Sequence, residues 1–384
     1  MIEFENVVKE FPGGLRAVDG LTLHVAEGEI CVLIGPSGCG KTTTMRMVNR
    51  LIPITSGRIT VEGRDNVSLP ADELRRKIGY AIQQIGLFPH MTIQNNVAVV
   101  PRLLGWDDAR IWRRVDALLE LVGLDPDTYR DKYPRQLSGG QQQRVGVARA
   151  LGADPPIMLM DEPFGAVDPI TRETLQDEFL QIQREISKTI LFVTHDIDEA
   201  IKMGDRIAIL RDGRLIQYDT PDTILAHPKD RFVRNFVGAD RQLKRLGLVR
   251  VREIMDTDPP TVPFDASVRD ALQAIRKRDV RSAFVVDRDG RLKGWVERAE
   301  AERGTSLLDV MHEADYHDIA VNESATVRDA LSAMVTRGFR VTPVVSEGGR
   351  LAGAVTLRAL QEFVESSSEE ERGSGQDEKR GAST

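Results

Sequence analysis

The sequence predicts an α/β domain, a mainly parallel sheet covered by helices with a helical subdomain inserted, followed by an α+β pair built from one repeated unit. Three observations predict it. Short β-rich runs (EICVLIG, PIMLMDE, TILFVTH, RIAIL) alternate with helical patterns from residue 1 to about 238. The segment SVRDALQAI from Ser267 returns as TVRDALSAM from Thr326, and GRLKGWV from Gly290 returns as GRLAGAV from Gly349, both 59 residues on.

Taken in order, MIEFENVVKEF alternates apolar and polar residues as a half-buried strand does. EICVLIG is a continuous apolar run, the pattern of a strand buried on both faces. Between about residues 91 and 153 the pattern turns helical; RIWRRVDALLELVGL places Ile111, Val115, Leu118, Leu119 and Val122 on one face. LSGGQQQRVGVARAL opens with a hydroxyl and two glycines and then reads as a helix, a start suited to holding an anion. Residues 239–247 read as a linker, 248–304 and 305–364 as the two repeats. Each repeat reads as strand, helix, strand, turn, strand, and neither is large enough to form a good core alone, so the two should pack as a pair. Past Val364, ESSSEEERGSGQDEKRGAST is almost without apolar residues, and 365–384 reads as a disordered acidic tail.

Composition narrows the class. The chain has 384 residues, a formal net charge of -7 and 41% hydrophobic residues, which suits a chain of two or three domains with real cores. No apolar run approaches the roughly 18 to 20 residues that a bilayer span needs, and the N-terminus lacks a signal pattern, so the expectation is a protein of the cytosolic side. Cys31 and Cys39 are too few for a disulfide framework and read as small packing residues. The acidic balance argues against a nucleic-acid partner.

The chemistry begins at GPSGCGKTT, which follows the strand EICVLIG and precedes the helical KTTTMRMVNRL, the context of a phosphate-binding loop. Gly35, Gly38 and Gly40, with Pro36, Ser37 and Cys39 between them, let backbone N–H groups turn inward on phosphates; Lys41 reaches the β and γ oxygens, and Thr42, followed by Thr43, offers a hydroxyl to Mg²⁺ at a helix N-terminus. The run PIMLMDE ends in Asp161, suited to the magnesium shell, and Glu162, suited to orienting or deprotonating a water in line with the γ-phosphate. His195, directly after ILFVT, can hold or sense the γ-phosphate from the far side.

GPSGCGKTT, LSGGQ, MLMDE and THD, in that order, resemble the ATP-binding subunits of ABC transporters over essentially all of residues 1–238. The resemblance implies ATP and Mg²⁺ as cofactors and a head-to-tail dimer, in which Ser138, Gly139, Gly140 and Gln141 cap the γ-phosphate of ATP held by a second copy of the chain. It places Phe11 at the adenine-stacking position, where the family usually has tyrosine, Gln83 in the loop that touches Mg²⁺ and the membrane partner, and Asp168 in the loop that crosses the dimer interface. Beside Gln83, Leu87, Phe88 and Met91 either belong to the core or line the groove that the family offers to a short helix of the permease. The implied location is the cytoplasmic face of the membrane, as a peripheral subunit of permease chains fed by an extracytoplasmic binding protein.

The wording RKIGYAIQQIGLFPHMTIQNNV, ELVGLD, LMDEPFGAVDPITRETLQDEF and FVTHDIDEAIKMGDRIAIL is similar to importers of quaternary ammonium osmoprotectants such as glycine betaine, choline, carnitine and proline betaine. The repeat resembles a tandem CBS domain pair, an arrangement found in the same importers. CBS pairs often bind adenosine nucleotides through Gly-x-x-Thr-x-x-Asp; here GWVERAE carries Glu297 and Glu300, and GAVTLRA carries Thr356 but Ala359, a departure from that pattern. The resemblance implies sensing of ionic strength or of a cyclic dinucleotide. Between Arg269 and Lys293 stand eight Lys or Arg against four Asp, a net of +4, while 365–384 holds six acidic and three basic residues, a net of -3. Such charges pair at low salt and separate as the Debye length falls below about 10 Å above roughly 0.1 M. Competing expectations are an ABC ATPase for another cargo or for export, one acting on DNA or ribosomes, and a CBS-regulated ATPase without a transport role.

Overall fold

Six strands form the central sheet, in the order Arg214–Asp219, Arg206–Arg211, Ile30–Ile34, Thr189–Val193, Ile157–Asp161, Ile78–Ala81. Neighbours pair in parallel except for the hairpin of the first two. Ile30–Ile34, Ile157–Asp161 and Thr189–Val193 are buried along their whole length, as their unbroken apolar runs require. The coordinates are those of a computed structural model that describes residues 1–81, 86–165 and 167–364.

The N-terminal strand Ile2–Glu10 does not join that sheet. It pairs antiparallel with Arg16–Val25 and with Ser56–Val61, in a four-stranded sheet that Arg64–Asp65 completes. A single-face alternation such as MIEFENVVKEF is what a strand with one solvated side needs, which separates it from the fully buried parallel runs. Phe4, Leu21 and Ile59 of this sheet, Met45 and Val48 of the helix Lys41–Val48, and Leu33, Leu159 and Leu191 of the parallel sheet belong to one buried cluster.

The helical segment contains Ile93–Leu103, Asp108–Leu121, the short Pro126–Tyr129 and Gly139–Ala150. Ile111, Val115, Leu118, Leu119 and Val122 are all buried, the face expected from their spacing.

The chain divides into one unit of Met1–Ile224 with Pro228–Gly238 and another of Leu225–His227 with Ala239–Thr384. In the second unit each repeat folds as strand, helix, strand, turn, strand: Thr261–Pro263, Val268–Lys277, Ser282–Val286 and Leu292–Glu297, then Val321–Asn322, Val327–Arg337, Val341–Val345 and Leu351–Thr356. Each helix begins with a capping box, Ser267 with Asp270 and Thr326 with Asp329. Phe284 and Leu292 of one copy share a buried cluster with Ile319, Val345 and Ala354 of the other. The two Gly-Arg-Leu turns bond reciprocally: Leu292 N donates to Gly349 O and Leu351 N to Gly290 O, both at 3.0 Å. Much of the basic stretch is already paired inside this unit, Arg276 with Glu302 at 3.6 Å and Arg278 with Asp258. The acidic tail, 365–384, and Gln83 lie outside the described residues.

Candidate functional site

Three adjacent parallel strands, Ile30–Ile34, Thr189–Val193 and Ile157–Asp161, place their carboxyl ends side by side. The phosphate loop with Lys41 and Thr42, the Thr194–His195 corner and the Asp161–Glu162 pair therefore meet at one edge of the sheet, where open α/β sheets bind ligands.

The loop 35–40 is held by close backbone approach. A Cβ on Gly35, at φ +153°, would lie 2.1 Å from Leu210 O, and one on Gly40, at φ +102°, would lie 2.3 Å from Ala17 O, so neither position admits a side chain. The helix Lys41–Val48 has no side-chain cap and no acidic residue in its first turn, and its first backbone bond is Thr44 N to Gly40 O, 2.8 Å. The N–H groups of Lys41, Thr42 and Thr43 thus head a helix whose dipole favours an anion. Lys41 is buried, and its ammonium donates to Gly35 O at 2.6 Å and Pro36 O at 3.1 Å, with Cys39 Sγ at 3.8 Å. Cys39 packs inside the loop, and burial raises its thiol pKa.

Thr42 Oγ1 donates to Asp161 Oδ1 at 3.2 Å. Asp161 is buried, and its pKa is raised mainly by that burial, with the Thr42 bond and the nearby Arg46 acting against it. Two hard oxygen donors side by side, one of them a buried carboxylate that a cation would stabilise, fit Mg²⁺. Arg46 was not singled out from the sequence, although its position four residues after Thr42 puts it on the same helix face.

Glu162 has a left-handed backbone (φ +45°) and its N–H donates to Val193 O at 2.9 Å; the turn aims its side chain at the neighbouring strand end. His195 Nδ1 lies 3.2 Å from Glu162 Oε2, so two residues read separately from the sequence form one pair. Behind them Thr194 is buried, Asp196 caps the helix Ile197–Met203, and buried Glu199 accepts from Gln176 Nε2 at 2.9 Å. Burial raises the Glu199 pKa.

Ser138 caps the helix Gly139–Ala150 through a complete capping box: its Oγ accepts from Gln141 N at 3.3 Å and its N–H donates to Gln141 Oε1 at 3.0 Å. Gln141 Nε2 also donates to Tyr129 Oη at 3.0 Å. Gln141 is thus part of the cap, and the N–H groups of Gly139 and Gly140 are left without intrahelical acceptors. Gly139 faces open space; a Cβ on Gly140 would sit 3.3 Å from Thr171 Cγ2. Thr171 N in turn donates to Asp168 Oδ1 at 3.1 Å, which caps Pro169–Ile186 and lowers the Asp168 pKa. The helices Gly139–Ala150 and Pro169–Ile186 therefore start beside each other. No hydrogen bond among the described residues joins Ser138–Gln141 to the phosphate loop.

Phe11 sits half-buried in the turn between Ile2–Glu10 and Arg16–Val25, with the Lys9 ammonium 4.9 Å from its ring centroid. Leu87 and Met91 are half-buried and Phe88 is exposed. Asn96, fully buried and not legible as a functional residue from its neighbours in the chain, ties this segment together: its Oδ1 accepts from Phe88 N at 2.7 Å, and its Nδ2 donates to the carbonyls of Phe88, Met91 and Thr92.

Comparison with known proteins agrees with this geometry. Residues 18–165 match the ABC transporter family, and 251–301 and 309–366 match the CBS domain. The chain is 48% identical over 366 residues to the glycine betaine/carnitine/choline transport ATP-binding protein of Bacillus subtilis, covering 95% of this chain and 96% of that one. It is 46% identical over 372 residues to the osmoprotectant import ATP-binding protein of Salmonella typhimurium, covering 95% and 97%. Among solved structures, a dimeric ATP-binding cassette in a post-hydrolysis state with ADP and Pi is similar at 35% identity and a TM-score of 0.52, covering 57% of this chain and 98% of that one.

Proposed function

The chain belongs to the ATP-binding subunits of ABC importers for quaternary-amine osmoprotectants that carry C-terminal CBS domains, and from that premise we propose how its residues divide the work. It is an ATPase coupled to transport. The observation that carries the assignment of residues is the meeting of Lys41, Thr42, Asp161, Glu162 and His195 at three adjacent strand ends.

Lys41 and the amides that head Lys41–Val48 hold the β and γ phosphates of ATP. Thr42 Oγ1 and the Asp161 carboxylate, with Gln83, would hold Mg²⁺, which supplies neutralisation of phosphate charge when bound. Glu162 orients a water in line with the γ-phosphorus and accepts its proton as the water oxygen bonds to phosphorus; the bond from phosphorus to the bridging oxygen breaks, leaving ADP and phosphate. His195, anchored by Glu162 through Nδ1, presents its other ring nitrogen to a γ-phosphate oxygen. Phe11 stacks on adenine, with the phenyl face but no hydroxyl.

In a head-to-tail pair of copies, the Gly139 and Gly140 amides cap the partner's γ-phosphate, Ser138 holding the helix start in shape and Gln141 fixing Ser138. Asp168 sits at the same interface, supported by the shared position of its helix start. Residues 1–238 form the motor domain, 248–304 and 305–364 the CBS pair, and 239–247 the linker. The segment containing Gln83, Leu87, Phe88 and Met91 meets the permease at the cytoplasmic face of the membrane, and an extracytoplasmic binding protein acts through that permease. No helix among the described residues is long and apolar enough to cross a membrane. The CBS pair regulates the motor, and ionic strength acting on its basic stretch is one input that charge neutralisation tests. Replacing Arg276, Lys277, Arg278 and Arg281 together with glutamine shifts the salt dependence of transport if the basic stretch is the salt sensor; an unchanged dependence removes that role.

The test is uptake of labelled glycine betaine at raised osmolarity in cells with the wild type, a deletion, or Glu162→Gln, with choline, carnitine and proline betaine as competitors. Uptake is lost in both variants, and the ATPase rate of Glu162→Gln falls by about a hundredfold or more while ATP binding persists. Unchanged uptake in the deletion, with no redundant carrier, refutes the cargo assignment.

A further inference from the structure

The CBS pair encloses a cavity of about 400 Å³, and its lining is read most simply through the 59-residue repeat. Nearly every wall position is paired with its repeat equivalent: Pro260 with Ile319, Arg281 with Arg340, Phe284 with Pro343, Trp295 with Ala354, Glu297 with Thr356. The cavity therefore lies on the pseudo-two-fold axis of the pair. The arginines obey the symmetry; even their carbonyls are used alike, Arg281 O accepting from Arg298 N at 2.7 Å and Arg340 O from Leu357 N at 2.9 Å.

The rest of the wall breaks the symmetry in one direction. Trp295 faces the small Ala354, Glu297 faces the neutral Thr356, and Phe339 stands where the first copy has Val280. Trp295 and Phe339 meet edge to face, ring centroids 5.0 Å apart, and His312 stacks on Trp295 at 4.8 Å, fixing the indole plane. His312 is itself held from outside the cavity, its Nε2 lying 2.5 Å from Glu300 Oε2. Two carboxylates, Asp256 and Glu297, and two guanidinium groups, Arg281 and Arg340, line the cavity, so its formal charge is zero.

We propose that this cavity binds a zwitterion with a quaternary ammonium group and a carboxylate, the chemical class of the transported osmolytes. Trp295, Phe339 and Glu297 take the ammonium end, because aromatic faces attract a desolvated cation that has no N–H to donate, and Arg340 takes the carboxylate. A phosphate ligand brings net negative charge that this neutral wall does not match. The volume admits one such zwitterion with bridging water. The inference rests on the importer reading only for the reason that these solutes accumulate beside the CBS pair, where occupancy would report the internal pool to the motor.

The test uses the full chain and calorimetric titration with glycine betaine, carnitine, choline, AMP and a cyclic dinucleotide, repeated by fluorescence in a Trp106→Phe, Trp112→Phe background in which Trp295 is the sole tryptophan. Glycine betaine and carnitine give saturable heat and a saturable Trp295 signal. Glu297→Gln weakens both by about tenfold, and Arg340→Gln weakens the zwitterions by about tenfold while leaving choline, which has no carboxylate, unchanged. Absence of zwitterion binding, heat without a Trp295 response, indifference to both variants, or binding of the nucleotides alone overturns the proposal. Uptake by the intact transporter is measured separately: retained osmolyte uptake without binding sinks the sensor and spares the importer, and binding without uptake does the reverse.

Discussion

Asp161 is a carboxylate that the fold would stabilise better without its charge. Burial raises its pKa, so as pH climbs past the ordinary carboxylate value of about 3.9 the unfolded chain loses this proton first and the folded state becomes relatively less stable, until the raised folded pKa is passed. Asp161→Asn, which keeps the shape and an acceptor for Thr42, is therefore expected to raise the melting temperature of the nucleotide-free protein at pH 7 while abolishing hydrolysis. The difference from wild type should vanish below about pH 4, where both states are protonated at this position; thermal scans at pH 3.5 and pH 7 check it. Lys41 and Thr42 could be singled out in the sequence because the local spacing of the glycine loop sets their geometry, and Asp161 because it ends an unbroken apolar run. The Glu162 to His195 pairing could not, since it depends on which strands become neighbours, and Arg46 is found only once Thr42 is known to face Asp161.

At the scale of elements, runs of one character were readable and joints were not. ICVLI, IMLMD and TILFV announce buried parallel strands and MIEFENVVKEF a strand with one solvated face, yet which strands it pairs with, Arg16–Val25 and Ser56–Val61, cannot be read from the run itself. The segment from Phe88 to Thr92 is a joint of this kind, held by one buried amide. Asn96→Ala removes the buried amide and leaves the Phe88 N–H and three carbonyls without this partner, which should cost about 1–3 kcal/mol, measurable as a lower urea midpoint with unchanged slope. Uptake should fall further than the ATPase rate, because the loosened segment lies beside the proposed permease contact. Similarly, Ser138→Ala removes the cap of Gly139–Ala150 and should cost about 1 kcal/mol, whereas Ser138→Gly should cost only a few tenths; chemical denaturation of both variants separates these values.

For the whole molecule, the motor unit and the repeat pair each possess their own buried clusters. Calorimetry should resolve two transitions, with Mg-ATP raising only the one that belongs to the motor; at a hundred times the dissociation constant the gain is about 2.7 kcal/mol. A single transition shifted as a whole would show that the two units unfold together. The division was readable from the repeat and the change of composition near residue 239. The cavity between the repeats was not, because each copy alone shows only half of its wall.

In the crossed bonds of the Gly-Arg-Leu turns, Leu292 to Gly349 and Leu351 to Gly290, each turn gives one donor and one acceptor to its counterpart. A gene fragment encoding a single copy would therefore yield a polypeptide that seeks its twin, closing as a two-fold homodimer. Joined in one chain, the two halves need not be identical, and they differ where it matters for the cavity: tryptophan and glutamate stand in one copy where the other has alanine and threonine.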